Sequence, residues 1–312
     1  MVPRLLLCAN PAASGFTGGL HREVVARLRR AFDVETKWPN SPAETRAVTA
    51  AAAGDGVEVV VAMGGDGVVH HVANGVGGTA AALGIIPAGT TNVFGRLIGI
   101  PSNPKKAADL ICRDPTARPI PTAMLTLDHG EAGTENRLTT FSTGVGFDAD
   151  VVQVAEQEPF RKYWFGGVHY ARTAASVVWK DYAHRPPLLE VTAGGRSAKA
   201  VAVLVQLHQK YTYFGRVALT LGPWSPGTAT VLVAHSLARR RLGRILFGAV
   251  AGRPLANIEG IEVWEGITSL DVTIGDATIP AQADGELLGS PRSLSVATRP
   301  DYLRVIAPPP VS

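Results

Sequence analysis

The stretch Val57–Gly75, reading VEVVVAMGGDGVVHHVANG, constrains the fold of this chain more than any other. Val57, Val59, Val60 and Val61 form an apolar, β-branched run that ends at Met63. Gly64, Gly65, Asp66 and Gly67 follow, and then a segment of helical character, Val68–Ala73, that ends at Asn74-Gly75. A buried strand that stops at glycines and leads into a helix is the layout of a phosphate site. Glycines let the backbone approach a polyphosphate, and the helix N-terminus offers unpaired N–H groups. A bare carboxylate beside phosphates is repulsive unless a metal ion or a proton lies between them. Asp66 therefore points to Mg2+ handling or to proton abstraction. The alternative is a tight strand-to-helix turn in which Asp66 is only a cap.

The residues before this stretch alternate between strand and helix patterns. Arg4–Ala9 is an apolar strand, followed by the polar turn Asn10-Pro11-Ala12-Ala13-Ser14-Gly15. Leu20, Val24, Val25, Leu28 and Phe32 line one face of a helix over 20–32, and 34–38 is a short strand. Ser41-Pro42-Ala43-Glu44 supplies an N-cap, a proline at the first helical position and an early acid, opening a helix that ends at Gly54. After the central stretch, Ala82–Ile86 is another strand, ending in Pro87-Ala88-Gly89-Thr90-Thr91-Asn92. In an alternating β/α pattern the strands are parallel and their C-terminal ends share one edge. The loops at Gly64 and Gly89 are thus expected side by side, as the walls of a nucleotide cleft. Short helices are expected at 93–98 and 104–112.

Around Arg113–Pro121 the texture changes, with Pro115, Pro119 and Pro121 punctuating the chain and strands taking over. Single strands are expected at 122–128, 137–143, 188–193, 199–207, 217–221 and 228–234, with shorter ones from Glu259 onward, making a largely antiparallel β domain. Two helical stretches interrupt it. One is 168–182, preceded by Phe160–Phe165; the other is 237–250, with an apolar stripe and the charges of Arg239, Arg240, Arg241 and Arg244. A basic amphipathic helix of this kind suits an anionic membrane surface, with Arg240, Arg241 and Arg244 facing it. The alternative is a helix packed on the β domain with a solvated Arg face.

At 312 residues the chain holds one large or two ordinary domains. A net charge of +4 suits acidic ligands or an anionic surface and is too weak to argue for nucleic acid. The two cysteines, Cys8 and Cys112, form neither a metal spacing nor a disulfide framework, which suits a reducing cytoplasm. Leu5-Leu6-Leu7 before Cys8 is too short for a signal sequence, so a buried strand is expected there. No apolar run reaches the length of a transmembrane helix.

With these residues laid out, the chain resembles the bacterial soluble diacylglycerol kinase family, kin to sphingosine and ceramide kinases. Asn10-Pro11 with Ser14-Gly15, Gly64–Gly67, Pro87–Arg96 (PAGTTNVFGR), Ser142–Val151 (STGVGFDADV) and Ala283–Glu286 (ADGE) match its motifs in order. Gly-Gly-Asp-Gly by itself is weak, since NAD kinases and phosphofructokinases carry it too. The ordered set is specific. The resemblance implies a Rossmann-like nucleotide-binding α/β domain over 1–118, a β-sandwich lipid-substrate domain over 119–298, and a C-terminus (about 299–312) that returns to the first domain.

It also implies transfer of the ATP γ-phosphoryl group to a lipid hydroxyl, diacylglycerol-like or sphingoid, with Mg2+, at a membrane surface. The phosphate cradle would be Gly64, Gly65, Gly67, Gly89, Thr90 and Thr91, with Asn10 and Thr45 contacting the nucleotide. Asp66 would position Mg2+ or activate the hydroxyl. Asp284 or Glu286 would be the general base, the sequence not choosing between them; locally they read as an Asp-Gly hairpin turn.

Several positions depart from the family pattern. Val68 replaces a Thr, His71 a Glu and Val93 an Asp, and the loop Pro223–Gly227 lacks the Asp-Gly of a secondary metal site. The adjacent His70 and His71 are expected as surface polar residues. These departures leave room for a different lipid, and for two alternatives. One is a catalytically weak or inactive nucleotide- and lipid-binding protein; the other is a kinase of a soluble acceptor, resembling NAD kinase. An exposed sheet edge in either domain offers a surface for a homodimer.

Overall fold

The strand that ends at the first glycine loop, β3 (Val59–Gly64), is buried at every position. A strand covered on both faces carries continuous apolar residues and sits in the middle of a parallel sheet. In the structure, a computed structural model that describes residues 2–156, 176, 182, 184–215, 217–238 and 241–309, β3 lies between β1 (Arg4–Ala9) and β4 (Ala82–Pro87). Both pairings are parallel, and β2 (Asp33–Lys37) adds a parallel edge next to β1. The helices between the strands are α1 (Gly18–Leu28), α2 (Pro42–Gly54) and α3 (Asp66–Val76), followed by α4 (Val93–Leu97) and α5 (Pro104–Arg113).

Local chemistry explains where the helices begin. Thr17 accepts from the Leu20 amide ahead of α1, Ser41 from the Glu44 amide ahead of α2, and Asn103 from the Lys105 and Lys106 amides ahead of α5. Cys8 is buried inside β1, and burial pushes its thiol up to about 12.

The chain divides into two compact units, 1–120 with 300–312, and 121–299. The long strands β5 (Ala117–Asp128) and β18 (Ser293–Ile306) carry it from one unit to the other. In the first unit the end of β18 runs parallel to β4, with Val305 opposite Leu83, so the C-terminus returns to the α/β sheet.

The second unit is antiparallel β. One sheet contains β6 (Thr134–Thr139) against β5, and the series β9 (Arg196–Ala200), β8 (Leu189–Ala193), β15 (Ser269–Thr273) and the first part of β18. The other has the order β14 (Ile261–Ile267), β13 (Ala229–Ala234), β10 (Ala202–Gln206), β7 (Ser142–Val145), β16 (Ala281–Ala283), β17 (Glu286–Leu287). A buried cluster with Leu125, Val191, Val205, Val231, Trp264 and Val296 draws on both sheets. Strands β11 (Thr212–Phe214) and β12 (Val217–Leu219) form a separate hairpin. Among the described residues, α6 (Phe147–Glu156) and α7 (Leu242–Ala251) accompany the sheets. Apart from positions 176 and 182, the helix expected over 168–182 lies outside the described residues, as do Phe160–Phe165, Arg239 and Arg240.

Three expectations are corrected. The single strand expected over 137–143 breaks at Thr140-Phe141, because the Asp284 carboxylate takes the amides of Thr140, Phe141 and Ser142 and turns the chain from one sheet into the other. The single strand expected over 199–207 likewise switches sheets at Val201, whose amide bonds to Ala234 O (2.7 Å) between β9 and β10. Helix α3 does not stop at Asn74-Gly75 but runs through them. A Cβ on Gly75 would stand 1.9 Å from Thr49 Oγ1 and 2.9 Å from Arg46 O of α2. Gly75 is there to let two helices touch, not to end one.

Candidate functional site

The site is built where β1, β3 and β4 end. The Asn10 amide bonds to Met63 O (3.0 Å), the Ala88 amide to Gly64 O (2.8 Å) and the Gly15 amide to Ala88 O (2.8 Å). Three loops are thereby laced together at the C-terminal edge of one parallel sheet, where open α/β sheets bind ligands. The Ser14 and Thr90 hydroxyls are 3.0 Å apart, adding a side-chain tie. Asn10 Oδ1 accepts from the Ala12 amide (2.9 Å), which shapes the first loop as an Asx turn.

The two glycine loops touch. A Cβ on Gly89 would lie 2.5 Å from Gly65 Cα, so backbone meets backbone there with no room for a side chain. Asn92, with φ of 49°, closes the second loop on itself: its Oδ1 accepts from the Gly89 amide (3.1 Å) and its Nδ2 donates to Gly89 O (2.8 Å). Asn tolerates this left-handed conformation better than most residues. Gly64, Gly65, Asp66, Gly67, Gly89, Thr90 and Asn10 are thus brought to one place, with Thr91 between Thr90 and Asn92.

Asp66 links the loops through charge. Its Oδ2 accepts from the Val93 amide (2.9 Å) and its Oδ1 from the Phe94 amide (3.1 Å). These are orphan donors at the N-terminus of α4, so the carboxylate caps a helix other than the one it begins. A carboxylate oxygen can accept from more than one donor. Among the described residues no cluster of three or more His, Cys, Asp or Glu side chains is arranged to hold a metal ion by itself. The donor set fits Mg2+ in the form in which that ion commonly meets proteins, through a single carboxylate together with nucleotide phosphates and water.

Val68, Val93 and His71, which depart from the pattern the resemblance implies, lie in defined surroundings. A Cβ on Gly64 would lie 2.7 Å from a methyl of Val68, so Val68 covers the bare glycine backbone. Val93 is buried in the first unit's core. His71 Nδ1 lies 3.3 Å from Arg46 Nη1. His70, expected at the surface, is 1% exposed, which corrects that expectation: it lies on the inner face of α3.

Thr45 is buried, and its hydroxyl donates to Ser41 O (2.9 Å) within its own helix. The threonine that lies at a strand end, on the edge that carries the glycine loops, is Thr36 of β2, opposite Leu7. A cavity of about 360 Å3 lined by Phe32, Glu58, Ala82 and Arg304 opens among residues at the start of β3 and β4, away from the glycine loops.

In the second unit, Asp284 is 3% exposed with φ of 54°. Its carboxylate accepts from the Thr139 hydroxyl (2.9 Å), the Thr140 amide (2.7 Å) and hydroxyl (3.0 Å), and the Phe141 (2.9 Å) and Ser142 (3.2 Å) amides. These five hydrogen bonds make it the anchor of the turn between β6 and β7. Glu286 begins β17, half-buried, paired with Ala283 across the hairpin.

Asp148, on α6, is half-buried; desolvation pushes its carboxyl up, opposed by donation from the Tyr211 hydroxyl and Gln282 Nε2. Arg241, expected to face a membrane, is turned inward instead: its Nη1 donates to Glu259 O (2.7 Å) and its Nη2 pairs with the Glu259 carboxylate. Arg244 is exposed, and Arg240 lies outside the described residues.

Residues 4–124 match the diacylglycerol kinase catalytic domain family. A relative from Xanthomonas axonopodis pv. citri (strain 306), named a probable lipid kinase YegS-like, is 35% identical over 164 residues, half of this chain and half of that one. A diacylglycerol kinase from Mycobacterium tuberculosis (strain ATCC 25618 / H37Rv) is 43% identical over 89 residues, 28% of this chain and 29% of that one. The chain matches no more than about half the length of these curated relatives.

Among solved structures, a diacylglycerol kinase from Bacillus anthracis str. Sterne shares the fold at a TM-score of 0.69 and 19% identity, over 98% of this chain and 97% of that one. Yeast NADH kinase shares it more distantly, at a TM-score of 0.53 and 10% identity, over 99% of this chain and 84% of that one. Residues 4–124 of this chain are thus similar in sequence to the diacylglycerol kinase catalytic domain, and the solved structures share its fold.

Proposed function

We propose that this chain is an ATP-dependent lipid kinase that transfers the γ-phosphoryl group to a hydroxyl of a diacylglycerol-like or sphingoid lipid at a membrane surface. The observation that carries the reading is the docking of the Gly64–Gly67 loop onto the Gly89 loop, with Asp66 bonded across to α4. Phosphoryl transfer depends on positioning and charge stabilisation more than on covalent chemistry. Two abutting glycine loops offer backbone N–H groups to phosphate oxygens without side chains in the way, and the N-terminus of α3 adds its dipole. Asp66 is the residue that would hold Mg2+ against those phosphates. When bound, the ion neutralises the phosphate oxygens and lets a carboxylate stand beside them. Asn10 and the Ser14–Thr90 pair shape the rim on which the nucleotide would lie.

For the membrane, α7 supplies the supporting feature. It buries Gly248 and Ala249 and exposes Arg244, Val250 and Phe247, the last at 57%. The Arg253 guanidinium sits 5.1 Å from the centre of the Phe247 ring. An apolar face edged by arginines suits an anionic lipid surface.

The test is phosphotransfer from labelled ATP, with Mg2+ and mixed micelles of diacylglycerol, monoacylglycerol, sphingosine, ceramide or undecaprenol, and a parallel reaction with NAD. A labelled, organic-extractable product is expected, and its identity names the acceptor. Labelled NADP alone would move the chain to the soluble-acceptor kinases. ATP binding with no product from any acceptor would make it a binding protein.

A further inference from the structure

Three aromatic rings meet beside the glycine loops. Phe16 stands edge-on to Trp38, with ring centroids 5.7 Å apart and planes at 89°. His21, in the first turns of α1, lies 4.5 Å from Trp38 and 6.0 Å from Phe16. His21 Nε2 is sealed from solvent and has no hydrogen-bond partner, so this ring serves packing. Burial and the neighbouring Arg22 lower its pKa, which keeps it neutral. Trp38 nevertheless leaves 42% of its surface open. A large flat ring packed against two others, with 42% of its surface open, can receive another flat group.

The position of this cluster identifies that group. The pairing of Cys8 with Lys37 sets Trp38 level with Ala9, one residue before Asn10 and on the same edge of the sheet as the glycine loops. The sheet order β2-β1-β3 places two strand spacings, about 10 Å, between the end of β2 and the end of β3, where Gly64 begins the phosphate loop. Phe16 closes the loop that is bonded to the second glycine loop through Gly15, Ala88, Ser14 and Thr90. Ring cluster and glycine loops are thus tied into one edge, at a separation that the ribose and phosphates of a nucleotide bridge.

We propose that Trp38, braced by Phe16 and His21, is the platform on which the nucleotide base stacks while its phosphates reach the Gly64–Gly67 and Gly89–Thr91 loops. This rests on the nucleotide reading given above and adds to it a base-binding subsite. Stacking uses a π-face that every base presents, so the platform holds adenine and guanine alike. Selection of the acceptor falls to other residues.

The experiment is calorimetric titration of Mg·ATP, Mg·GTP and Mg·tripolyphosphate, which has no base, into the full-length wild type, Trp38→Ala and Trp38→Phe. Trp38→Ala is expected to weaken both nucleotides about tenfold and leave tripolyphosphate unchanged, with most of the loss restored in Trp38→Phe. Unchanged nucleotide affinity in Trp38→Ala, or an equal loss for tripolyphosphate, overturns the platform and leaves the nucleotide site standing. Failure of the wild type to bind any nucleotide overturns the nucleotide reading itself.

Discussion

Asp66 holds two amides that do not belong to its own helix. Read along the chain, a carboxylate just after two glycines is either a metal ligand or a cap for the helix it opens. Folding gives a third use, because α4 begins beside it and presents the Val93 and Phe94 amides. No spacing rule reports that bond, which spans more than twenty-five residues. Removing the carboxylate leaves both amides without this acceptor. Asp66→Ala is expected to lose about 1–2 kcal/mol of stability, read by urea denaturation. An unchanged midpoint would contradict the cross-loop cap. The glycines beside Asp66 were legible because a strand that stops at glycines and opens into a helix is a purely local pattern. Asp284 was less so, because an Asp-Gly pair looks like an ordinary hairpin turn until its five hydrogen bonds to residues about 140 positions earlier are seen.

At the scale of elements, the parallel strands and capped helices of the first unit follow directly from sequence pattern. Ser41 and Pro42 open α2 as capping chemistry requires, and continuous apolar runs become β1, β3 and β4. The misread elements are those decided by distant contacts. Gly75 lies mid-helix because α2 and α3 approach closely. Gly75→Ala is expected to cost about 3 kcal/mol through overpacking, although alanine is the better helix former. A stabilised variant in thermal melts would contradict the close approach.

Helix α6 carries the second test. The Asp148 carboxyl is raised by burial, so the folded state holds its proton more tightly than the unfolded chain. Between the unfolded value, near 4, and the raised folded value, stability falls as pH rises, and above the folded value it levels off. Asp148→Asn lacks that loss. Relative to this variant the wild type is expected to be less stable at pH 7 than at pH 4, measured by denaturation at both. A pH-independent difference would mean that burial does not raise this carboxyl.

At the scale of the whole molecule, the order of motifs reaches from Asn10 to Glu286, and the two units divide that order between them. The glycine loops, Asp66 and the Trp38 cluster all lie in the first unit, while the Asp284 turn and α7 lie in the second. Among the described residues no helix is long and apolar enough to cross a membrane. The sheet switches at Thr140 and Val201 were hidden because an unbroken apolar run looks the same whether it stays in one sheet or passes between two.

The most direct test of a phosphoryl-transfer site in the first unit compares wild type with Asp66→Ala for release of label from γ-labelled ATP into lipid. Circular dichroism establishes that the variant is folded at the assay temperature. Labelled lipid with the wild type and none with the folded variant is the expected result. Equal transfer by both proteins would contradict the assignment of the site.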